Sequence, residues 1–305
     1  MLISGILAGQ IINTQYAAQI ITLRYPPAKN ACGQLSGLLV LTETKPSINL
    51  MQTRQLLAIV WEKSKLNLKS EAAVNYLSYI WWIIEPVIQM LCYYLVFELL
   101  LNRGGPGYVY FLLIGLVPWL WFTRTISHSS NSLLAGRVLM GQIFIPKLFF
   151  PLVSIIQCGV KQILVFTTLL IFLVASGFTL SIHWLSLPAI IMVQLIFMVP
   201  LACLLAVAVV YVRDLTFVIP TTLQFMFFCS GIFFSFEQIA PEYTNLLFAN
   251  PMAGLVHQYR EVLIHGAWPD WLYLTKILSV SVILWLAALF VYKNYEYTIT
   301  RVTQE

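Results

Sequence analysis

Six stretches of this 305-residue chain are long and apolar enough to cross a lipid bilayer, and no other feature constrains the fold as much. They lie over residues 80–101, 108–126, 148–176, 188–211, 216–235 and 272–292. A spanning helix needs about 20 predominantly apolar residues. Inside lipid each backbone N–H and C=O must find its partner within the segment, so runs of this length are expected as helices. Composition agrees. Hydrophobic residues make up 60% of the chain and charged residues 10%, with a mean hydropathy of +0.84. A soluble domain carries about 25% charged residues. No fixed-period repeat and no Gly/Ser or Pro linker divides the chain. The sequence therefore predicts an all-α integral membrane protein, with one six-span domain over 79–305.

The positions of Lys and Arg set the expected orientation, because cytoplasmic loops are enriched in them. With the N-terminus inside, the inner segments hold Arg54, Lys63, Lys65, Lys69, Arg124, Arg137, Lys147, Arg213, Lys293 and Arg301. The outer segments hold Arg103 and Arg260. Both termini are thus expected in the cytoplasm.

Ahead of the spans, residues 51–78 begin with MQTRQLLAIVWEKSKLNLKSE, which sets Leu56, Leu57, Ile59, Val60 and Trp61 beside Arg54, Lys63, Lys65 and Lys69. A basic helix with a greasy side is expected to lie along the cytoplasmic face of the membrane. Residues 1–50 lack that pattern and contain Pro26-Pro27. They are expected to be a disordered tail, or translation upstream of a true start at Met51.

Few residues could support enzymatic chemistry. His128, His183, His257 and His265 have no metal-ligand spacing, and Asp214 and Asp270 lie far apart. The glycines of GRVLMGQI (136–143) have the spacing of a phosphate loop, but Gln142 and Ile143 stand where Lys and Ser/Thr would hold phosphate and magnesium. Cys92, Cys158, Cys203 and Cys229 fall in apolar runs, as small hydrophobes do, and Cys32 stands alone. No metal site and no cofactor are expected on this chain. A membrane glycosyltransferase or acyltransferase is disfavoured by the missing acidic and His motifs.

Ionisable groups inside spans are functional candidates. Glu85, followed by Pro86 in YIWWIIEP, falls about a turn and a half inside the cytoplasmic edge of the first span, where Arg124 is its first candidate partner. Lys161 lies well within the third span. Tyr93 and Tyr94 of the first span and Phe225 and Phe228 of the fifth lie too deep for an interfacial belt. Aromatic faces stack on sugar rings, so these residues would suit a moving glycan. The 128–147 segment reads either as a short helix outside the bilayer or as a solvated loop. The tight Arg213-Asp214 turn reads either as an interfacial anchor or as a point where a partner applies force. Between the last two spans, 235–272 is apolar yet broken by Pro241, Pro251 and Pro269. Two short helices, 241–249 and 252–265, cannot each span, and a re-entrant outer hairpin is expected.

In chain order, the basic helix, YIWWIIEP (79–86), GLVPWLWF (115–122), IFIPKLFFP (143–151), YVRDL (211–215), SGIFFSFEQIAP (230–241) and NPMAGLVHQYREVL (250–263) resemble a family. It is that of the ABC-2 type membrane subunits of bacterial polysaccharide exporters, which serve O-antigen, capsule and teichoic acid. The resemblance covers roughly residues 51–300. It implies a homodimer in the bacterial cytoplasmic membrane, above two copies of an ABC ATPase that carries the ATP and Mg. The substrate implied is a lipid-linked polysaccharide, with membrane lipids around it and no nucleic-acid partner; the alternative is a smaller lipid or a drug. The resemblance also implies ATPase coupling through Arg137, Lys147, Arg213 and Asp214, and an outer gate at Asn250, Pro251, Tyr259 and Arg260. Before the Trp pair such proteins usually carry a basic run and a small Gly-like residue. This chain has Glu71-Ala72-Ala73 and Ser78 there.

Overall fold

A computed structural model describes residues 50–74, 78–96, 107–142, 145–234 and 248–304. The expectations for the tail before Leu50 and for a helix over 241–247 lie outside the described residues. Every regular element described is helical. The α-helices are α1 (Leu50–Val74), α2 (Ser78–Tyr94), α3 (Tyr108–Ser130), α4 (Ser132–Ala135), α5 (Arg137–Gln142), α6 (Phe149–Ala175), α7 (Leu187–Tyr211), α8 (Leu215–Phe228), α9 (Pro251–Leu263) and α10 (Trp271–Gln304). A 3-10 turn, Ile182–Ser186, leads into α7.

Among the described residues, four helical segments are long and apolar enough to cross a membrane: Tyr108–Ser130, Phe149–Ala175, Ile182–Tyr211 and Trp271–Tyr295. α3 is the hub. Its residues Leu112 to Trp119 are all buried, so it is apolar on every side, as a helix enclosed by others must be. α6, α7, α2, α8 and α9 pack around it, and α10 lies chiefly along α7. There the Tyr292 hydroxyl donates to the Cys203 carbonyl at 3.0 Å. The 34 residues of α10 run to about 51 Å at 1.5 Å per residue, well beyond a hydrocarbon core of about 30 Å.

The expected fifth span over 216–235 is shorter than the sequence suggested. α8 stops at Phe228, and Gly231 turns the chain at φ 66, a conformation glycine adopts without steric cost. Neighbouring helices start with side-chain caps. Asn250 Oδ1 accepts from the Met252 N–H at 3.1 Å, with Pro251 at the first helical position, where it loses no hydrogen bond. Asp270 accepts from the Leu272 and Tyr273 N–H groups at 2.9 and 3.2 Å.

α1 is a continuous helix without Gly or Pro, and it packs along the first half of α6, from Val153 to Lys161. Val60 and Ser64 are buried in that contact, and the Ser64 hydroxyl bonds the Val60 carbonyl at 2.7 Å. Leu57, Ile59 and Trp61 stay exposed, beside the exposed Arg54, Lys63, Lys65 and Lys69. The expected single greasy side is thus divided: one stripe binds α6 and the other remains open. The 128–147 segment is helical in two short pieces, α4 and α5, of which α5 packs against α10.

Candidate substrate groove

Between α2, α3 and α8 lies an open groove of about 300 Å³. Its walls carry the rings of Tyr93, Trp119, Phe227 and Phe228 and the polar groups of Gln89, Thr123, Ser127 and Gln224, and no charged side chain among the described residues lines it. The rings form one cluster. Tyr93 and Trp119 lie 5.4 and 5.9 Å from Phe227, and Phe228 stacks on Phe233 at 5.6 Å. The cluster keeps its shape because Phe227 and Trp119 are buried, while Phe228 and Gln224 are exposed.

One charge pair borders the groove, and a second joins the helices beside it. Glu85 is one turn before Gln89 on α2, and Arg124 follows Thr123 on α3. Arg124 Nη2 stands 2.9 Å from Glu85 Oε2, an ion pair whose N–H points off the line of a hydrogen bond. Arg124 is the partner expected for Glu85. Lys161 is engaged twice. Its Nζ donates to both Glu71 oxygens, at 2.6 and 2.7 Å, and lies 4.9 Å from the centre of the Trp82 ring. One cation thereby joins α1, α2 and α6.

At the opposite end of α3, α9 is fastened by polar groups that are almost wholly enclosed. Arg260 is 3% exposed, and its guanidinium donates to the carbonyls of Phe111 (3.2 Å), Gly231 (2.6 Å) and Ile232 (2.8 Å). It also sits 3.4 Å from the centre of the Phe111 ring. A Cβ on Gly115 would come within 2.6 Å of Arg260 Nη2, so only glycine leaves room for the guanidinium. One turn deeper, the Tyr259 hydroxyl donates to Gln194 Oε1 at 2.9 Å, and Gln194 Nε2 donates to the Pro118 carbonyl at 2.9 Å. Gln162 Nε2 donates to the Val117 carbonyl at 3.2 Å. Buried polar groups persist when satisfied in this way.

The expected site residues separate accordingly. Tyr93 and Phe228 line the groove, and Glu85 borders it. Tyr94 is half-buried and Phe225 is 71% exposed, and neither lines it. Lys161 lies with the charge pairs. Tyr259 and Arg260 are enclosed between helices, while Asn250 and Pro251 start α9, with Asn250 Nδ2 donating to Ser230 Oγ at 3.0 Å. Arg137, Arg213 and Asp214 are exposed. Lys147 is 3% exposed, so its side chain is not presented to a partner as the coupling expectation requires. Sequence reasoning missed Gln89, Gln162, Gln194 and Gln224. The signal was there: amides inside apolar runs face the same demand for partners as charges do.

Fold and groove together define an all-helical integral membrane protein with an uncharged, ring-walled groove between its helices. No family profile matches the chain. It is 24% identical over 254 residues to an O-antigen export system permease protein RfbA of Klebsiella pneumoniae, covering 83% of this chain and 96% of that protein. It is 26% identical over 229 residues to a protein of the same name from Myxococcus xanthus, covering 74% and 88%. It is 23% identical over 227 residues to the polysialic acid transport protein KpsM of Escherichia coli, covering 72% and 86%. The homologues of this chain are export permeases for polysaccharide, the class to which its motifs pointed.

Proposed function

We propose that this chain is the permease subunit of an ATP-driven exporter that moves a lipid-linked polysaccharide across the bacterial cytoplasmic membrane. The groove carries this reading. Unpaired amides are costly in lipid, and together with the stacked rings they match the hydroxyls and alternating C–H faces of sugar rings. The working unit in this account is a homodimer above two ABC ATPase subunits, which hold the ATP and Mg. Each protomer makes six crossings with both termini in the cytoplasm. α2 and α8 are the inner parts of two crossings, and α8 runs from the Arg213-Asp214 turn to the bend at Gly231. α9 belongs to a re-entrant outer hairpin. In support, its 13 residues reach only about 20 Å, and Tyr259 shares Gln194 with Pro118, about 15 Å along α3 from Tyr108. Arg137, Arg213 and Asp214 would meet the ATPase.

The groove is tested by export assays on Phe228→Ala and Gln224→Ala, both at exposed positions. Each variant is expected to reduce surface polysaccharide about tenfold, the ~1.4 kcal/mol of one good stacking or hydrogen-bonding contact, with unchanged protein in the membrane. Phe217→Ala, exposed outside the groove, is the control and should export normally. Normal export by both groove variants would remove the groove from the path.

A further inference from the structure

We infer that the groove selects an uncharged glycan chain and rejects polyanionic ones such as uronic or sialic acid polymers. The inference rests on the glycan reading above and adds the charge class of the substrate.

Among the described residues the lining supplies no cation: its polar groups are the carboxamides of Gln89 and Gln224, the hydroxyls of Tyr93, Thr123 and Ser127, and the Trp119 indole N–H. Gln89 and Gln224 make no hydrogen bond within the described chain, so each offers a free donor and a free acceptor, the pairing a sugar hydroxyl needs. A carboxylate could use the donors alone and would leave the amide oxygens facing a negative charge. The rings oppose it as well, because an aromatic face carries the negative part of its quadrupole. Desolvating a carboxylate among such groups is unfavourable unless a cation pairs with it. Two cations on the neighbouring helices, Arg124 and Lys161, are already paired. Arg124 is held by Glu85, and Lys161 binds both oxygens of Glu71. The Glu85 charge is offset by Arg124, so this pair brings no net positive charge to the groove for an anion to use. The groove therefore favours hydroxyl-rich, uncharged sugars over a chain with a carboxylate on every residue.

Saturation-transfer NMR on the full chain in lipid nanodiscs tests this. The probes are a cello-oligosaccharide and its C6-oxidised glucuronate counterpart of equal length, which differ only in charge. The expected result is transfer to the neutral oligomer at least about tenfold stronger than to the acidic one. Gln224→Lys should narrow or invert that ratio, and Gln224→Asn should preserve it. Equal transfer to both oligomers, unchanged in Gln224→Lys, overturns the charge selection and leaves the glycan reading standing. Transfer to neither overturns both. A Gln224→Cys variant that forms disulfide-linked dimers, with no transfer to either probe, would assign the groove to a second copy of the chain and overturn the inference.

Discussion

Arg260 shows how much one enclosed residue can organise. Its five N–H groups have a fixed fork geometry, and three carbonyls from two separate elements accept from them. Replacing it with Ala would leave those carbonyls without partners in an enclosed site. The expected loss is about 3–5 kcal/mol, read as a lowered melting temperature in detergent. Arg260→Lys should recover only part of this, because a single ammonium cannot match the fork. Gly115→Ala should resemble the loss of the arginine, since the added methyl takes the guanidinium's place. An unshifted melting temperature in Gly115→Ala would contradict the clasp. Gln194→Leu interrupts the Tyr259–Gln194–Pro118 chain and is expected to destabilise by about 1–3 kcal/mol. These roles were not legible beforehand. Arg260 falls in a segment assigned to the outer side, where charge counting reads it as a loop charge and the resemblance as part of an outer gate; neither specifies a buried clasp. Its burial depends on α9 entering the helix bundle, which no local pattern specifies.

At the scale of elements, the apolar runs placed the helices within a few residues, because lipid imposes one solution on a long apolar segment. The run over 148–176 is the helix Phe149–Ala175, and the run over 272–292 lies inside α10. α8 departed from expectation because its end is set by the Gly231 turn and by Arg260 on α9, a tertiary cause. The Glu85–Arg124 pair was legible, since the topology expected from the sequence puts both near the same end of adjacent spans. The Glu71–Lys161 pair was not, because it depends on α1 packing alongside α6. That pair should hold α1 in place. Lys161→Glu is expected to loosen α1, seen as faster amide exchange over 60–74, and Glu71→Lys in the same chain should restore protection. The coupling is expected to be about 1 kcal/mol or less, since the Glu71 side chain is 41% exposed and solvent screens the pair. Lack of rescue by the reversed pair would show that the contact is incidental.

For the whole molecule, topology and the groove's position form one account. If both ends lie inside, as proposed, cysteines placed at Arg137 and Arg301 should react with an impermeant reagent only from the cytoplasmic side, and one at Leu180 only from outside. Labelling of Arg301→Cys from outside would break the six-crossing arrangement. In that proposed orientation the uncharged groove, the Glu85–Arg124 pair beside it and the α9 clasp at the opposite end of α3 would mark a route from the cytoplasmic side toward the proposed gate. The expectation of an aromatic path along the first and fifth spans followed from ring depth alone, and Tyr93 and Phe228 do line the groove. Which rings face each other was not legible, because it depends on the rotation of α2 and α8 about α3. The central claim is export of a lipid-linked glycan, and the most direct test is to delete the gene and locate that glycan. The account predicts loss of polysaccharide from the cell surface and accumulation of lipid-linked chains inside, reversed by the intact gene. Unchanged surface polysaccharide, with no internal accumulation, would contradict it.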